Sequence, residues 1–403
     1  MSRKVMFLML VAILTAIPVV AQQSVANQDK VKRLDGSAIA AAEIDATVTR
    51  VMKAAGVPGM GLAILNDGKI VYQKGYGLRD KEKNLSLTPQ TIMSAASFTK
   101  VAFGEMVMQL VDKGQLNLDK PVYEYLPKPL PDYPNYRDLA LDSRYKKITA
   151  RMLMSHTSGF PNWRRFNDDG KLNIAFEPGS RYAYSGEGLV LLQLVVETIM
   201  GKPLVDLMQD RVFRPFGMSR TSMVWLPRFD SDFANGYDES GRSLGPQRRV
   251  QADAAGSMLT TVQDFARFLQ AVLESIGMQK QTQELMLSPQ IAISSKHEFP
   301  TFSTETTDEN KKIKLSYGLT WGLYWTPYGK AFFKEGHEAG HMNYAVCFEE
   351  KKSCMVMMTN SSNGEGVYKE LLETLQKNTY TPLEWEGFTP YDQLPPGEQL
   401  KAR

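Results

Sequence analysis

Apolar positions recur at two different spacings along the chain, and the change from one to the other marks its segments. Ile44, Val48, Val51, Met52 and Ala55 fall on one face of a helix that Gly56 stops. Met60–Leu65 and Lys69–Gly77 are β-rich runs separated by Asn66-Asp67-Gly68, the turn chemistry of a tight hairpin. A second helix begins near Ser97, with Phe103, Met106, Val107, Leu110 and Val111 on one face and Gly114 at its end. From Gln115 to about Thr304 the pattern is helical and loop-rich. It contains a nearly all-apolar helix from Gly188 to Met200 and, behind a Thr261/Asp264 cap, a stripe of Phe265, Phe268, Leu269, Val272 and Leu273. Strand-like runs return at about Leu315–Trp325, Lys330–Glu338 and Tyr344–Met358, ahead of a last helix carrying Val367, Leu371, Leu372 and Leu375. Strands at both ends with helices between predict an α/β domain made of residues 38–114 and 305–379, a helical domain at 115–304, and a tail at 380–403.

Composition narrows the function classes. The chain has 403 residues, 43% hydrophobic and 23% charged, which is ordinary for a globular protein. Its 47 basic and 44 acidic residues give a net charge of +3, so nothing favours nucleic acid or an anionic membrane surface as partner. Residues 1–21 read as a cleaved secretory signal: Arg3 and Lys4, the apolar run Val5–Val20, then Val19-Val20-Ala21 for cleavage. No Cys follows for a lipid anchor, so the expected location is periplasmic or extracellular, with no membrane span after cleavage and with residues 22–37 as a loose polar leader. In that setting Cys347 and Cys354, facing each other if Glu350 and Lys351 form the turn, are either a cross-strand disulfide or two packed thiols.

Candidate chemistry centres on Ser97 and Lys100. A hydroxyl and an amine three residues apart at the start of a helix share its first turn, where free N–H groups favour developing negative charge. Ser143 and Lys146 have the same spacing but lie in a charged stretch without an apolar stripe, the pattern of a solvated loop. Tyr184 stands in a glycine-bearing loop just before the apolar helix. Its phenol is a poor base at neutral pH unless a cation such as Lys100 stabilises the phenolate.

The chain resembles the serine β-lactamase and penicillin-binding protein family, in particular its class C β-lactamase-like branch. The likeness runs from about Ile44 to Leu375. It rests on Val57-Pro-Gly-Met-Gly, the Ser97-Phe-Thr-Lys100 box, Leu116-Asn-Leu-Asp-Lys-Pro-Val, Met154-Ser-His-Thr-Ser-Gly-Phe160, Phe176-Glu-Pro-Gly-Ser-Arg-Tyr-Ala-Tyr-Ser185 and Arg214-Pro-Phe-Gly-Met-Ser in this order. The resemblance implies an antiparallel sheet flanked by N- and C-terminal helices with an inserted, mainly helical domain. It also implies Ser97 as the acylated nucleophile, Lys100 as its activator, Tyr184 as acid/base and the Ser97 N–H as half of an oxyanion hole. No cofactor or metal is expected.

Two boxes depart from the family pattern. Gly186 replaces the Asn that would hydrogen-bond the substrate acyl chain, and Glu187 is the expected substitute. The third box, a Lys-Thr-Gly or His-x-Gly in the family, is read in Gly336-His-Glu-Ala-Gly-His-Met-Asn-Tyr344, with His337 as its first residue, Gly340 N–H as second oxyanion donor and the Lys missing. Without that Lys, ester, amide or peptide cleavage is favoured over β-lactam hydrolysis. His337-Glu338-Ala339-Gly340-His341 also fits the zinc-peptidase signature, but that signature needs a helix; on a strand the two His stand about 13 Å apart. His156 reads as part of a structural turn and His297 as a solvated residue. The expectation is therefore a secreted serine hydrolase acting on a small-molecule or peptide substrate, cell-wall peptides included. Its rivals are a non-catalytic penicillin- or muropeptide-binding protein and a zinc peptidase.

Overall fold

In the computed structural model, which describes residues 27–393, α1 (Ala41–Ala55) leads into a hairpin of β1 (Gly59–Asn66) and β2 (Lys69–Asp80), followed by the short β3 (Leu85–Ser86). Asp67 and Gly68 take φ values of 50° and 75°, the left-handed pair that a two-residue hairpin turn requires. Helices α2 (Phe98–Asp112), α3 (Gly186–Met200) and α4 (Val262–Leu273) come next, embedded in long loops and 3-10 turns. The chain then returns as β4 (Ile291–Ala292), β5 (Ser316–Tyr317), β6 (Gly322–Thr326), β7 (Gly329–Glu338), β8 (His341–Phe348) and β9 (Ser353–Thr359).

These strands make one nine-stranded sheet in the order β4-β5-β6-β7-β8-β9-β1-β2-β3, antiparallel throughout. The β9–β1 pairing, with Met357 opposite Leu62, joins the two ends of the chain. Alternate residues serve opposite faces. Leu62, Ile64, Tyr344, Val346 and Met357 pack with Ile44, Val48 and Val51 of α1 and with Leu371 and Leu375. Ala63, Leu65, Ala345, Cys347 and Val356 pack with α2 and α4. Covered on both faces, the central strands need no polar alternation.

Helix α2 differs from its predicted one-sided stripe: every residue from Phe98 to Leu110 is buried. It lies between the sheet and the helical part, in one hydrophobic cluster with α3 and α4. Lys100, Glu105 and Gln109 are buried with it.

The predicted signal at 1–21 lies outside the described residues. The leader is not loose from residue 30 onward: Lys30–Lys32 pairs with Ala38–Ala40, because Val31, Leu34 and Ile39 are apolar enough to pack onto the α1 side of the sheet. The tail docks there too, through Trp385 and Phe388. Cys347 and Cys354 are directly opposed on β8 and β9 and joined by a disulfide.

Candidate active site

Ser97 sits at the N-terminal cap of α2 and reaches the main cleft. The preceding residues are pinned: Met93-Ser94 pairs with Leu259-Thr260, and the Ala95 N–H donates to Met258 O at 2.9 Å. Thr99 Oγ1 donates to Ala96 O at 2.6 Å and accepts from the Met258 N–H at 3.0 Å. Ala96 takes a φ of 45°, a strained value for a residue with a Cβ, and that bend presents Ser97 to the cleft. One turn on, Lys100 is 1% exposed, with Nζ 2.9 Å from Ser97 Oγ and 2.6 Å from Ala255 O. Neither neighbour is a carboxylate. Burial, helped by the nearby Lys334 ammonium and opposed by Asp253, Glu335 and Glu298, lowers its pKa to about 7.

Tyr184 is held from behind by His156. The Ala183 N–H donates to His156 O and the Ser185 N–H to His156 Nδ1, while the imidazole ring lies 4.4 Å from the Tyr184 ring. Ser185 then caps α3 by accepting from the Gly188 N–H at 2.9 Å. On the cleft side, Lys334 Nζ donates to Tyr184 Oη at 3.0 Å, and both Lys334 and Lys100 place their ammonium groups within 5.0 Å of the ring centroid. Two cations do not make this phenol acidic. Burial first, then Glu335 and its neighbours, hold its pKa well above the usual value, against a hydrogen bond from Ser97 that lowers it. At neutral pH Tyr184 is a proton donor, and Lys100 is the group poised to accept.

The third component is the edge of β7. Trp325 of β6 donates its N–H to Ile313 O, away from β7, and Lys330 O accepts from the Glu349 N–H on the β8 side. By alternation the amides of Ala331, Phe333, Glu335 and His337 point toward β6. The ladder with that strand stops at Gly322, opposite Phe333, so Glu335 and His337 lie on β7 beyond the reach of β6. Gly336 lets this edge lie against α2, since a Cβ there would stand 2.7 Å from Ala95 O and 3.2 Å from Phe98 Cδ1.

Several sequence assignments change. Gly340 is not an oxyanion donor: it lies in the β7–β8 turn, and its N–H donates to Ser362 Oγ at 3.0 Å. The third box does contain a lysine. It is Lys334-Glu335-Gly336, with His337 just after it and Glu in place of the family's Thr. The sequence reading missed it by starting at His337, although Lys-x-Gly stands directly upstream. His337 lines the cleft, its ring 4.9 Å from that of Phe388. Glu187 does not substitute for the missing amide. It is buried, and its carboxylate takes two hydrogen bonds from the Arg164 guanidinium at 3.0 and 2.7 Å. Gly186 is Gly because Trp163 fills the space beside it; a Cβ would stand 2.9 Å from the indole ring.

Ser143 and Lys146 are both exposed on a 3-10 turn and are not part of the cleft lining. His337 and His341 lie on a β-hairpin, not a helix, and among the described residues no group of three His, Cys, Asp or Glu could hold a metal. The cleft, about 1900 Å³, also draws on segments without a local signal: residues 248–253 and 255–257, the exposed His297 with Phe299, and Glu386 to Thr389 of the tail.

The Beta-lactamase family model matches residues 44–376. The chain belongs to the Beta-lactamase family. This family of serine hydrolases agrees with the α/β architecture above. Esterase EstB of Burkholderia gladioli is 29% identical over 237 residues, 52% of this chain and 58% of EstB. Protein flp of Staphylococcus aureus strain MW2 is 24% identical over 245 residues, 56% of this chain and 48% of flp, so the match spans about half the length of these curated relatives. Among solved structures, the octameric penicillin-binding protein homologue from Pyrococcus abyssi superposes with a TM-score of 0.67 at 24% identity, covering 84% of this chain and 80% of that one. D-alanine carboxypeptidase AmpC from Burkholderia cenocepacia gives 0.64 at 22% identity, covering 80% and 95%. At these identities the structural likeness speaks for the fold.

Proposed function

We propose that the protein hydrolyses an ester or amide carbonyl through an acyl-enzyme on Ser97. The observation that carries this reading is a buried Lys100 amine 2.9 Å from the Ser97 hydroxyl, with a pKa lowered to about 7. A base matched to the working pH is the most effective one, and general acid–base catalysis of this kind contributes about 10²–10⁴-fold. In the reading, neutral Lys100 takes the Ser97 proton as Oγ attacks. The N–H groups of Ser97 and His337 stabilise the oxyanion, each donor contributing about 10²–10³-fold. Tyr184, hydrogen-bonded to Lys334, protonates the leaving group, and water then releases the acyl group by the reverse proton route.

An apolar wall of Trp163, Val190 and Leu194 supports an acyl portion of some size. The esterase and carboxypeptidase names of two relatives support ester and amide substrates, with cell-wall peptides in the range to be tried. The disulfide supports an oxidising, extracytoplasmic location. A fluorophosphonate probe should label Ser97, p-nitrophenyl esters should be turned over in a panel that also holds D-alanyl peptides, and Ser97→Ala should lose both labelling and turnover. Turnover that survives in Ser97→Ala would overturn the proposal. Labelling without turnover on any substrate would instead favour a binding protein.

A further inference from the structure

We infer that the site selects substrates with no carboxylate beside the scissile bond, because Glu335 already occupies the place at Lys334 that such a carboxylate would take. The inference rests on the acyl-enzyme reading above. Lys334 is fully buried, and its Nζ donates to Tyr184 Oη and to Glu335 Oε1. An ammonium set this close to the nucleophile is the natural counter-ion for a substrate anion, yet here the protein supplies the anion from the next residue. Burial works to raise the Glu335 carboxyl, but Lys334 and His337 outweigh it and hold it below the usual range, so it stays charged.

Among the described residues, no lysine or arginine lining the cleft stands ready in its place. Of the arginines lining the cleft, Arg249 is paired with Glu338 and Arg248 with Asp230, while Arg165 lies over the Trp163 and Phe166 rings. Lys100 serves Ser97. Glu335 lines the cleft with its charge intact, so an incoming carboxylate would meet like charge rather than a vacant ammonium. A neutral leaving group meets no such conflict.

The test compares 3-carbamoylphenyl acetate with 3-carboxyphenyl acetate, a pair matched in shape and differing in charge, in the wild type and in Glu335→Gln. The wild type should favour the neutral ester at least tenfold in kcat/KM. Glu335→Gln, which leaves Lys334 unneutralised, should bring the ratio to about one or below, chiefly by raising the rate on the carboxylate ester. A wild-type ratio near one, or one favouring the carboxylate, overturns the inference whether or not the variant folds. So does an unchanged ratio in a folded variant. If Ser97 takes fluorophosphonate and the ratio is flat, the inference alone fails; if Ser97 is unlabelled and neither ester reacts, the acyl-enzyme reading fails and the inference with it.

Discussion

Replacing Lys100 by Met should make the protein more stable and inactive, and the gain should fade as pH rises. The lysine is 1% exposed, and burial lowers its pKa from the ordinary 10.5 to about 7. At about 1.4 kcal/mol per pH unit between the two values, holding the protonated amine in the fold costs about 5 kcal/mol. The sign follows from proton counting. Below pH 7 both folded and unfolded chains carry the proton and the full cost is present. Between pH 7 and 10.5 the unfolded chain binds more protons than the folded one, so wild-type stability rises with pH. Above 10.5 nothing is left to relieve. Met fills similar volume without a charge but forfeits the bonds to Ala255 O and Ser97 Oγ, together about 2 kcal/mol. The net expectation is that Lys100→Met is about 3 kcal/mol more stable at pH 6, an advantage that shrinks steadily between pH 7 and 9.5. Urea unfolding of both proteins at half-unit pH steps measures it. Parallel stability curves, or a variant less stable at pH 6, would refute the claim that Lys100 is a desolvated base.

The same titration should govern turnover: kcat/KM on a neutral ester should rise with an acid limb near pH 7. Lys334→Met should move that limb to higher pH and Glu335→Gln to lower pH, because Lys334 depresses Lys100 and Glu335 counteracts it. An unmoved limb in pH–rate profiles would count against Lys100 as the base. Gly336→Ala should lose at least tenfold in acylation rate and about 1–3 kcal/mol, as its methyl group meets Ala95 O and pushes β7 away from Ser97. Gly340→Ala, at φ 81° and against Gly236, should cost about 2 kcal/mol while kcat per folded molecule stays unchanged; stopped-flow acylation and urea unfolding separate the two outcomes. Arg164→Ala strands the buried Glu187 carboxylate and should cost about 3 kcal/mol in urea unfolding.

What could be read from the chain was what its neighbours along the chain decide. The β1–β2 hairpin rests on Asn66-Asp67-Gly68 between two β runs, and α1 on a stripe with a Gly stop. The closeness of Ser97 and Lys100 follows from one helical turn, whatever packs around it. Cys347 and Cys354 oppose each other because a short turn sets their register. The tail held a signal that went unused, two large aromatics, Trp385 and Phe388, in a segment otherwise rich in Pro and Glu. Glu187 could not be placed in the same way. It stands beside the tyrosine box in sequence, but its partner Arg164 arrives on a loop with no local pattern, and the carboxylate turns away from the substrate side to meet it.

The third box shows why a motif without its sheet is ambiguous. Lys334, Glu335, Gly336 and His337 take their setting from the strand beside them: β6 stops opposite Phe333, and β7 runs on past it. Starting the box at His337 moved the assigned donor to Gly340, into a turn where Ser362 already holds the N–H. It also removed Lys334 from view, and with it the pairing that separates the two buried lysines. Lys334 has a carboxylate against it; Lys100 has a hydroxyl and a carbonyl and is left to give up its proton. Glu335 thereby has two consequences at once, closing the anion site at Lys334 and opposing the pull of Lys334 on Lys100.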